Sequence, residues 1–225
     1  MDTDHCRDVN NLGHPSTTPV DRPLREGWLD RHRRYCARAA EGNVDIVFLG
    51  DSLTQRWETA PGVWLRYYGS RNAVQMGIDN DGTQQVLWRI DHGTLDGIKP
   101  RLVVLLIGIN NIGNDNASSG EVRDGVSAVI GRICSKLPDA KILLLGLLPY
   151  DVPETTYGLM VKPTNNLLAE LADGESVRFL DIGDRLLVDG KVDRDIQPDG
   201  GHLSEKGYAI YAAAIEPTVK ELLNE

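Results

Sequence analysis

Val44-Asp45-Ile46-Val47-Phe48-Leu49-Gly50-Asp51-Ser52-Leu53 decides the fold of this chain, because an almost unbroken apolar run passes straight into a small polar turn. A strand that is apolar on both faces reads this way when it lies inside a covered sheet. Gly50, Asp51 and Ser52 then supply a turn and a helix start. The rhythm recurs: apolar runs at 44–49, 73–76, 102–107, 142–148 and 177–182 alternate with helical patterns at 28–40, 53–67, 83–90, 120–136 and 162–171. A closing helix is expected over 204–223. Such alternation predicts an α/β fold, a three-layer α/β/α sandwich of flavodoxin-like type around a five-stranded parallel sheet. Functional residues of these sheets gather at the carboxyl ends of the strands, and Ser52, Asn80 and Asn110 each fall just past one.

Composition sets the outer limits. With 225 residues and 41% hydrophobic content, the chain can bury a sizeable core, and one domain over 25–225 is expected behind an extended arm at 1–24. The formal net charge of −9 argues against a nucleic-acid partner, whose phosphates draw affinity from Lys and Arg. Cys6, Cys36 and Cys134 are far apart and lack metal or redox spacing, so they read as reduced and structural. No stretch is long and apolar enough for membrane insertion, and the start of the chain lacks an apolar leader. The expectation is a soluble protein, cytoplasmic as the sequence stands and secreted if a signal peptide has been removed.

The chemistry-bearing residues lie far apart in sequence. Ser52 is a weak nucleophile alone and needs a base. Among the five histidines, His202 stands out: it sits in Asp199-Gly200-Gly201-His202-Leu203-Ser204, with a carboxylate three residues before it. Asp199 would select the imidazole tautomer that takes the serine proton and would stabilise the imidazolium formed. Ser204 would cap the last helix, with Glu205 favourable in its first turn. Either fragment alone reads more simply as an ordinary turn or cap.

Two further segments reverse that balance. Asn72-Ala73-Val74-Gln75-Met76-Gly77-Ile78-Asp79-Asn80-Asp81-Gly82-Thr83 leads into Gln84-Gln85-Val86-Leu87-Trp88-Arg89, and Val103-Val104-Leu105-Leu106-Ile107-Gly108-Ile109-Asn110-Asn111 follows. With these, residues 44–223 resemble the SGNH, or GDSL, hydrolase family, in the branch of the platelet-activating factor acetylhydrolase catalytic subunits. The resemblance implies Ser52 as nucleophile, Asp199 and His202 as the acid and base, and an oxyanion hole from Asn110 and the backbone N–H of Ser52. Each such donor is typically worth ~3 kcal/mol in the transition state. Ser52 would also gain from a helix dipole.

One position departs from the family pattern: Asn80 stands where an oxyanion-hole glycine is expected. Since that glycine acts through its N–H, and Asn tolerates left-handed dihedrals, a working hole is expected with Asn80 as a donor. Its side chain is expected to enter the acyl site and narrow the pocket. Asp51, Asp81 and Asn111 are assigned to support of the site, with Arg89 reaching back to Asp81 or Asp51 to brace the second loop.

Other motifs fail. Starting a calcium loop at Asp79 puts Gln84 where glycine is required and Ile90 where glutamate is required. The spacing from Gly108 to Gly113 imitates a phosphate loop, but Asn114 and Asp115 replace its Lys and Ser/Thr. Neither Gly-x-Ser-x-Gly nor His-Glu-x-x-His occurs, which argues against an α/β-hydrolase and a zinc enzyme. Asn116-Ala117-Ser118 matches the glycosylation sequon, a pattern short enough to arise by chance. Trp64 and Trp88 read as core, while Trp57 is close enough to Ser52 to line a pocket.

The expected activity is a serine esterase without metal or cofactor that removes short acyl groups, mainly acetyl, through an acyl-enzyme. An O-acetylated carbohydrate is the first choice of substrate; a lipid or other small ester is the second. A binding module weakened by Asn80 is the alternative from another class. The resemblance leaves a homodimer open.

Overall fold

The computed structural model describes residues 13–152 and 155–225. Five strands, β1 (Ile46–Gly50), β2 (Ala73–Gly77), β3 (Leu102–Leu106), β4 (Lys141–Leu145) and β5 (Val177–Leu180), form one sheet in the order β2-β1-β3-β4-β5. All its neighbours pair in parallel. A small antiparallel hairpin, β6 (Leu187–Val188) with β7 (Lys191–Val192), follows the sheet. The helices are α1 (Trp28–Ala40), α2 (Ser52–Gln55), α3 (Pro61–Tyr68), α4 (Thr83–Asp91), α5 (Ile109–Asp115), α6 (Ser119–Lys136), α7 (Tyr157–Ala169) and α8 (Glu205–Leu223).

The period of two along each strand divides the core. Val47, Leu49, Val103, Leu105, Ile142 and Leu144 pack toward residues of α1, α4, α6 and α7. Ile46, Phe48, Val104, Leu106, Leu143 and Leu145 pack on the opposite side against α3 and α8. Both faces of the sheet are therefore covered, as its apolar strands demand. Trp57 is buried in the second cluster, with ring contacts to Phe48, Trp64, Tyr68, Tyr208 and Tyr211, so it is core and not pocket wall.

Several elements differ from the sequence expectation for local reasons. The helix expected over 53–67 is divided: α2 ends at Gln55, a 3-10 turn spans Arg56–Thr59, and α3 restarts at Pro61. Proline lacks an N–H and disfavours helix in the residue before it, so Ala60 adopts a non-helical conformation. A four-residue α2 also supplies little of the dipole expected at Ser52. Helix α7 begins at Tyr157 instead of 162 and contains Pro163 inside it. The carbonyl deprived of a donor there belongs to Leu159, on an exposed turn where water can satisfy it. Helix α5 begins directly after Gly108, whose φ of 129° lets the chain turn from β3 into it.

Residues 1–12 of the expected arm lie outside the described residues. The rest of that segment is docked. Pro15–Thr17 form a 3-10 turn, buried Ser16 accepts from Thr83 Oγ1 through its carbonyl at 2.6 Å, and Val20 N donates to Gln84 O at 3.1 Å. Among the described residues, no helix is long and apolar enough to cross a membrane.

The end of β1 leaves no room for a side chain. A Cβ on Gly50 would lie 2.2 Å from Leu106 O and 2.5 Å from Thr54 Oγ1. Gly50→Ala should therefore destabilise the protein by at least about 1–3 kcal/mol in urea unfolding, since the nearest obstacle is backbone.

Candidate active site

The site lies where the sheet order reverses, at the carboxyl ends of β1 and β3, the usual ligand crevice of such folds. Gly50 ends β1, and the turn through Asp51 and Ser52 crosses the end of β2 at Gly77, where a Cβ would lie 2.3 Å from Gln55 N. Two glycines thus allow the serine turn to sit down on the strand ends. Asp51 caps α2, its Oδ1 accepting from Leu53 N at 3.0 Å, and Tyr208 OH on α8 donates to Leu53 O at 2.7 Å. Ser52 is held from both sides.

His202 arrives from the loop before α8. Ser204 caps that helix, accepting from Gly207 N at 3.2 Å, and donates to Asp195 O at 2.6 Å. The Asp199 side chain folds the loop around itself: Oδ1 accepts from Gly201 N at 2.9 Å and His202 N at 2.7 Å, while Oδ2 lies 2.7 Å from His202 Nδ1. The other ring nitrogen, Nε2, is 3.0 Å from Ser52 Oγ. Although partial burial pushes the Asp199 carboxyl upward, the N–H donors of His202 and Gly201 and the imidazole outweigh it and bring the pKa down to about 2. Asp199 is then ionised wherever the imidazole would work as a base. Hydroxyl, base and orienting acid form one line able to perform nucleophilic acyl transfer.

Ser52, Asn80 and Asn110, the three expected oxyanion donors, line one opening beside that line. Neither Ser52 N–H nor Asn80 N–H has a protein acceptor among the described residues. Asn110 Nδ2 donates to Asp81 O at 2.9 Å and makes a longer contact of 3.5 Å with Asp51 Oδ2, which an incoming oxyanion would replace. Asn80 adopts φ 67°, the left-handed conformation glycine would take without cost and asparagine takes more readily than other side chains.

The Asn80 side chain does not enter the acyl site, contrary to the sequence expectation. A cavity of about 60 Å³ beside Ser52 is lined by Leu53, Leu106, Ile109, Leu147, Leu148 and Tyr150 together with Asp51, Asn110, Gly201 and His202, and does not include Asn80. Outside that cavity the Asn80 amide has several partners: with its oxygen toward the cations it accepts from Arg25 Nη1 at 2.8 Å and Arg22 Nη1 at 3.0 Å, and its other amide atom lies 2.8 Å from the amide of Asn114.

The supporting residues are deeply buried. Arg89 and Asp81 are both fully buried, with Nε and Oδ2 2.9 Å apart in a bent contact. Arg89 also donates to Met76 O at 2.8 Å and Gly50 O at 3.0 Å, and Trp28 Nε1 donates to Asp81 Oδ1 at 2.7 Å. Arg89 thus pairs with Asp81, not Asp51. Asn111 stands back from the serine and ties the start of α4: Oδ1 accepts from Thr83 N at 3.0 Å, and Nδ2 donates to Gln84 Oε1 at 2.8 Å. Among the described residues, no group of three or more His, Cys, Asp or Glu could hold a metal ion.

Sequence reading missed the walls of the site. Tyr150 lines both the small cavity and a larger one of about 350 Å³, which opens past Arg25, Asp79, Asn80, Asn114 and Tyr157. Its position just beyond β4 satisfies the strand-end rule that picked out Ser52, Asn80 and Asn110. Arg25 carried no such signal.

The comparisons agree with this geometry. The family model for GDSL-like lipase/acylhydrolases matches residues 48–210. The chain belongs to that family. Its GDSL relatives include human platelet-activating factor acetylhydrolase IB subunit alpha1, 32% identical over 209 residues covering 92% of this chain and 89% of that subunit. The rat alpha2 subunit is 32% identical over 200 residues, 88% of this chain and 86% of that subunit. Among solved structures, a GDSL-like lipase from Bacteroides thetaiotaomicron superposes with TM-score 0.68 at 19% identity, covering 84% of this chain and 97% of that one. A carbohydrate acetylesterase family member from Sinorhizobium meliloti gives TM-score 0.61 at 15% identity, covering 81% and 100%. As a GDSL hydrolase, the protein is a carboxylic ester hydrolase.

Burial gives one support residue a pH signature. Asp51 is desolvated, and the nearby Asp81 and Asp79 charges add to the effect, so its pKa rises from 3.8 to about 7 despite the Leu53 N–H. The folded state then binds the proton more tightly than the unfolded chain, and the stability tied to it falls as pH rises through that interval. Asp51→Asn removes this dependence while keeping a cap acceptor. Its stability relative to wild type should therefore improve between about pH 4 and pH 8, read as thermal midpoints across the range.

Proposed function

We propose that this GDSL hydrolase cleaves short-chain, mainly acetyl, esters of polar alcohols, with O-acetylated carbohydrate as the first substrate class. Ser52 Oγ attacks the carbonyl as His202 Nε2 takes its proton. Asp199 stabilises the imidazolium and keeps Nε2 directed at the serine. The N–H groups of Ser52 and Asn80 and the Asn110 amide receive the developing oxyanion. The imidazolium then protonates the leaving alcohol, and a water activated by the same base releases the acyl group and restores Ser52.

The observation that supports the acyl half is the cavity beside Ser52, whose volume of about 60 Å³ suits an acetyl methyl better than a long chain. The alcohol half rests on the larger opening, where Asn114, Asn80, Asp79 and two tyrosines offer polar edges and aromatic faces suited to a sugar. Acetylesterases among the fold neighbours fit this choice. A lipid acetyl ester is the second reading, favoured by the 32% identity to the human acetylhydrolase subunit. The Ser52, His202 and Asp199 alignment argues against a binding module, which has no use for an oriented nucleophile and base.

Hydrolysis of 4-nitrophenyl acetate, butyrate and octanoate should fall with acyl length, and Ser52→Ala should lose at least about a thousandfold in kcat/KM on acetate. Preference for octanoate would overturn the short-acyl assignment. Equal, negligible rates for both proteins would overturn the esterase role of Ser52. Comparing acetylated xylo-oligosaccharide with a 2-acetyl glycerophospholipid then chooses between the two alcohol classes.

A further inference from the structure

The loop that carries His202 is largely exposed, yet its imidazole must stay within hydrogen-bond distance of Ser52 Oγ. Its internal contacts do not fix where it sits. The Asp199 carboxylate is bonded to Gly201 N, His202 N and His202 Nδ1, and all three belong to the same loop. Those bonds give the loop its shape, but a correctly shaped loop could still drift against the sheet.

Gln197, just ahead of Asp199, joins the loop to the sheet. Its side chain is fully buried, and Nε2 donates to Pro149 O at 2.8 Å and to Gly201 O at 3.3 Å. Pro149 lies beyond β4 and precedes Tyr150, while Gly201 precedes His202. One amide group therefore links the pocket wall to the base. Its own backbone is held as well, with Gln197 N donating to Asp193 O at 2.8 Å and Gln197 O accepting from Gly200 N at 2.9 Å. Neighbouring contacts run the same way. Asp151 N donates to Gly200 O at 2.8 Å, and a Cβ on Gly201 would lie 2.7 Å from Tyr150 Cε2, so the ring rests directly on the loop backbone.

The other end of this amide is unmet. Gln197 Oε1 is buried and has no hydrogen-bond partner among the described residues. An acceptor in that position has given up water without a replacement, which costs stability. The case for glutamine here lies in its two N–H bonds.

Resting on the esterase reading, we infer that Gln197 is a positioning residue for the catalytic base, setting the distance from His202 Nε2 to Ser52 Oγ by tying Gly201 to the end of β4. It acts through the imidazole. Acyl transfer is sensitive to such placement, since a shift of about 1 Å can cost roughly a hundredfold in rate.

Two substitutions test this. Gln197→Met keeps the length of the side chain and removes both donors, while Gln197→Asn keeps the amide but is too short to reach both carbonyls. Each is assayed on 4-nitrophenyl acetate below its own thermal midpoint, in the wild-type and the His202→Ala backgrounds. With His202 present, both should lower kcat about tenfold or more while KM changes less than about twofold. In the His202→Ala background neither should lower the residual rate further, because the group they place is gone. A merely structural role would lower both backgrounds alike. Wild-type kcat in the Gln197 variants, or an equal fold loss in the two backgrounds, would overturn the positioning role. Ser52→Ala, assayed alongside, reports on the esterase reading separately: a wild type no faster than Ser52→Ala overturns both, whereas an active wild type matched by the Gln197 variants removes this inference alone.

Discussion

The buried pair between Arg89 and Asp81 is the contact on which the site depends. Arg89 reaches from α4 under the strand ends and donates to the last residue of β1 and the penultimate residue of β2, while its charge holds the loop carrying Asn80. A guanidinium wholly removed from water is tolerable only when its charge is met, and here one carboxylate meets the charge while two carbonyls take hydrogen bonds from its terminal nitrogens. Losing either partner would leave the other charge buried alone, at a cost of about 3–5 kcal/mol. Trp28 extends the bracing to α1, so the first helix contributes to placing the loop that carries Asn80.

Around this anchor the site is assembled from segments far apart in sequence. Ser52 stands on a turn settled between two glycines, His202 on a loop wrapped around the Asp199 carboxylate, and Asn110 at the start of a short helix made accessible by the positive φ of Gly108. These devices fix side chains through backbone contacts and leave little rotamer freedom to be lost when a substrate binds.

Much of this was legible from residue types alone. Apolar runs alternating with helical patterns pointed to strands inside a covered sheet, and the Asp199 to His202 spacing suited a turn that brings its two side chains together. What was not legible depends on competition between partners in space. The Asn80 amide had a small cavity on one side and two guanidiniums on the other, and one of those belongs to a polar segment without periodicity that sequence reading treated as an arm. Helix α7 escaped at its start because the rule that proline opens helices gives way when the unmet carbonyl faces solvent. Arg89 could have been a solvated charge on an amphipathic helix, and only packing reveals that its face of α4 points under the sheet ends.

Tyr150 stands in the walls of both the small cavity beside Ser52 and the larger opening. On the proposed function the two halves of an ester therefore both meet this one side chain, which also packs against Tyr157 with centroids 5.8 Å apart. Any drift of this side chain enlarges one chamber at the expense of the other. Acyl and alcohol preference in this chain consequently cannot evolve as independent traits at that position, and a lineage that gained a longer acyl group there would accept a different alcohol in the same step.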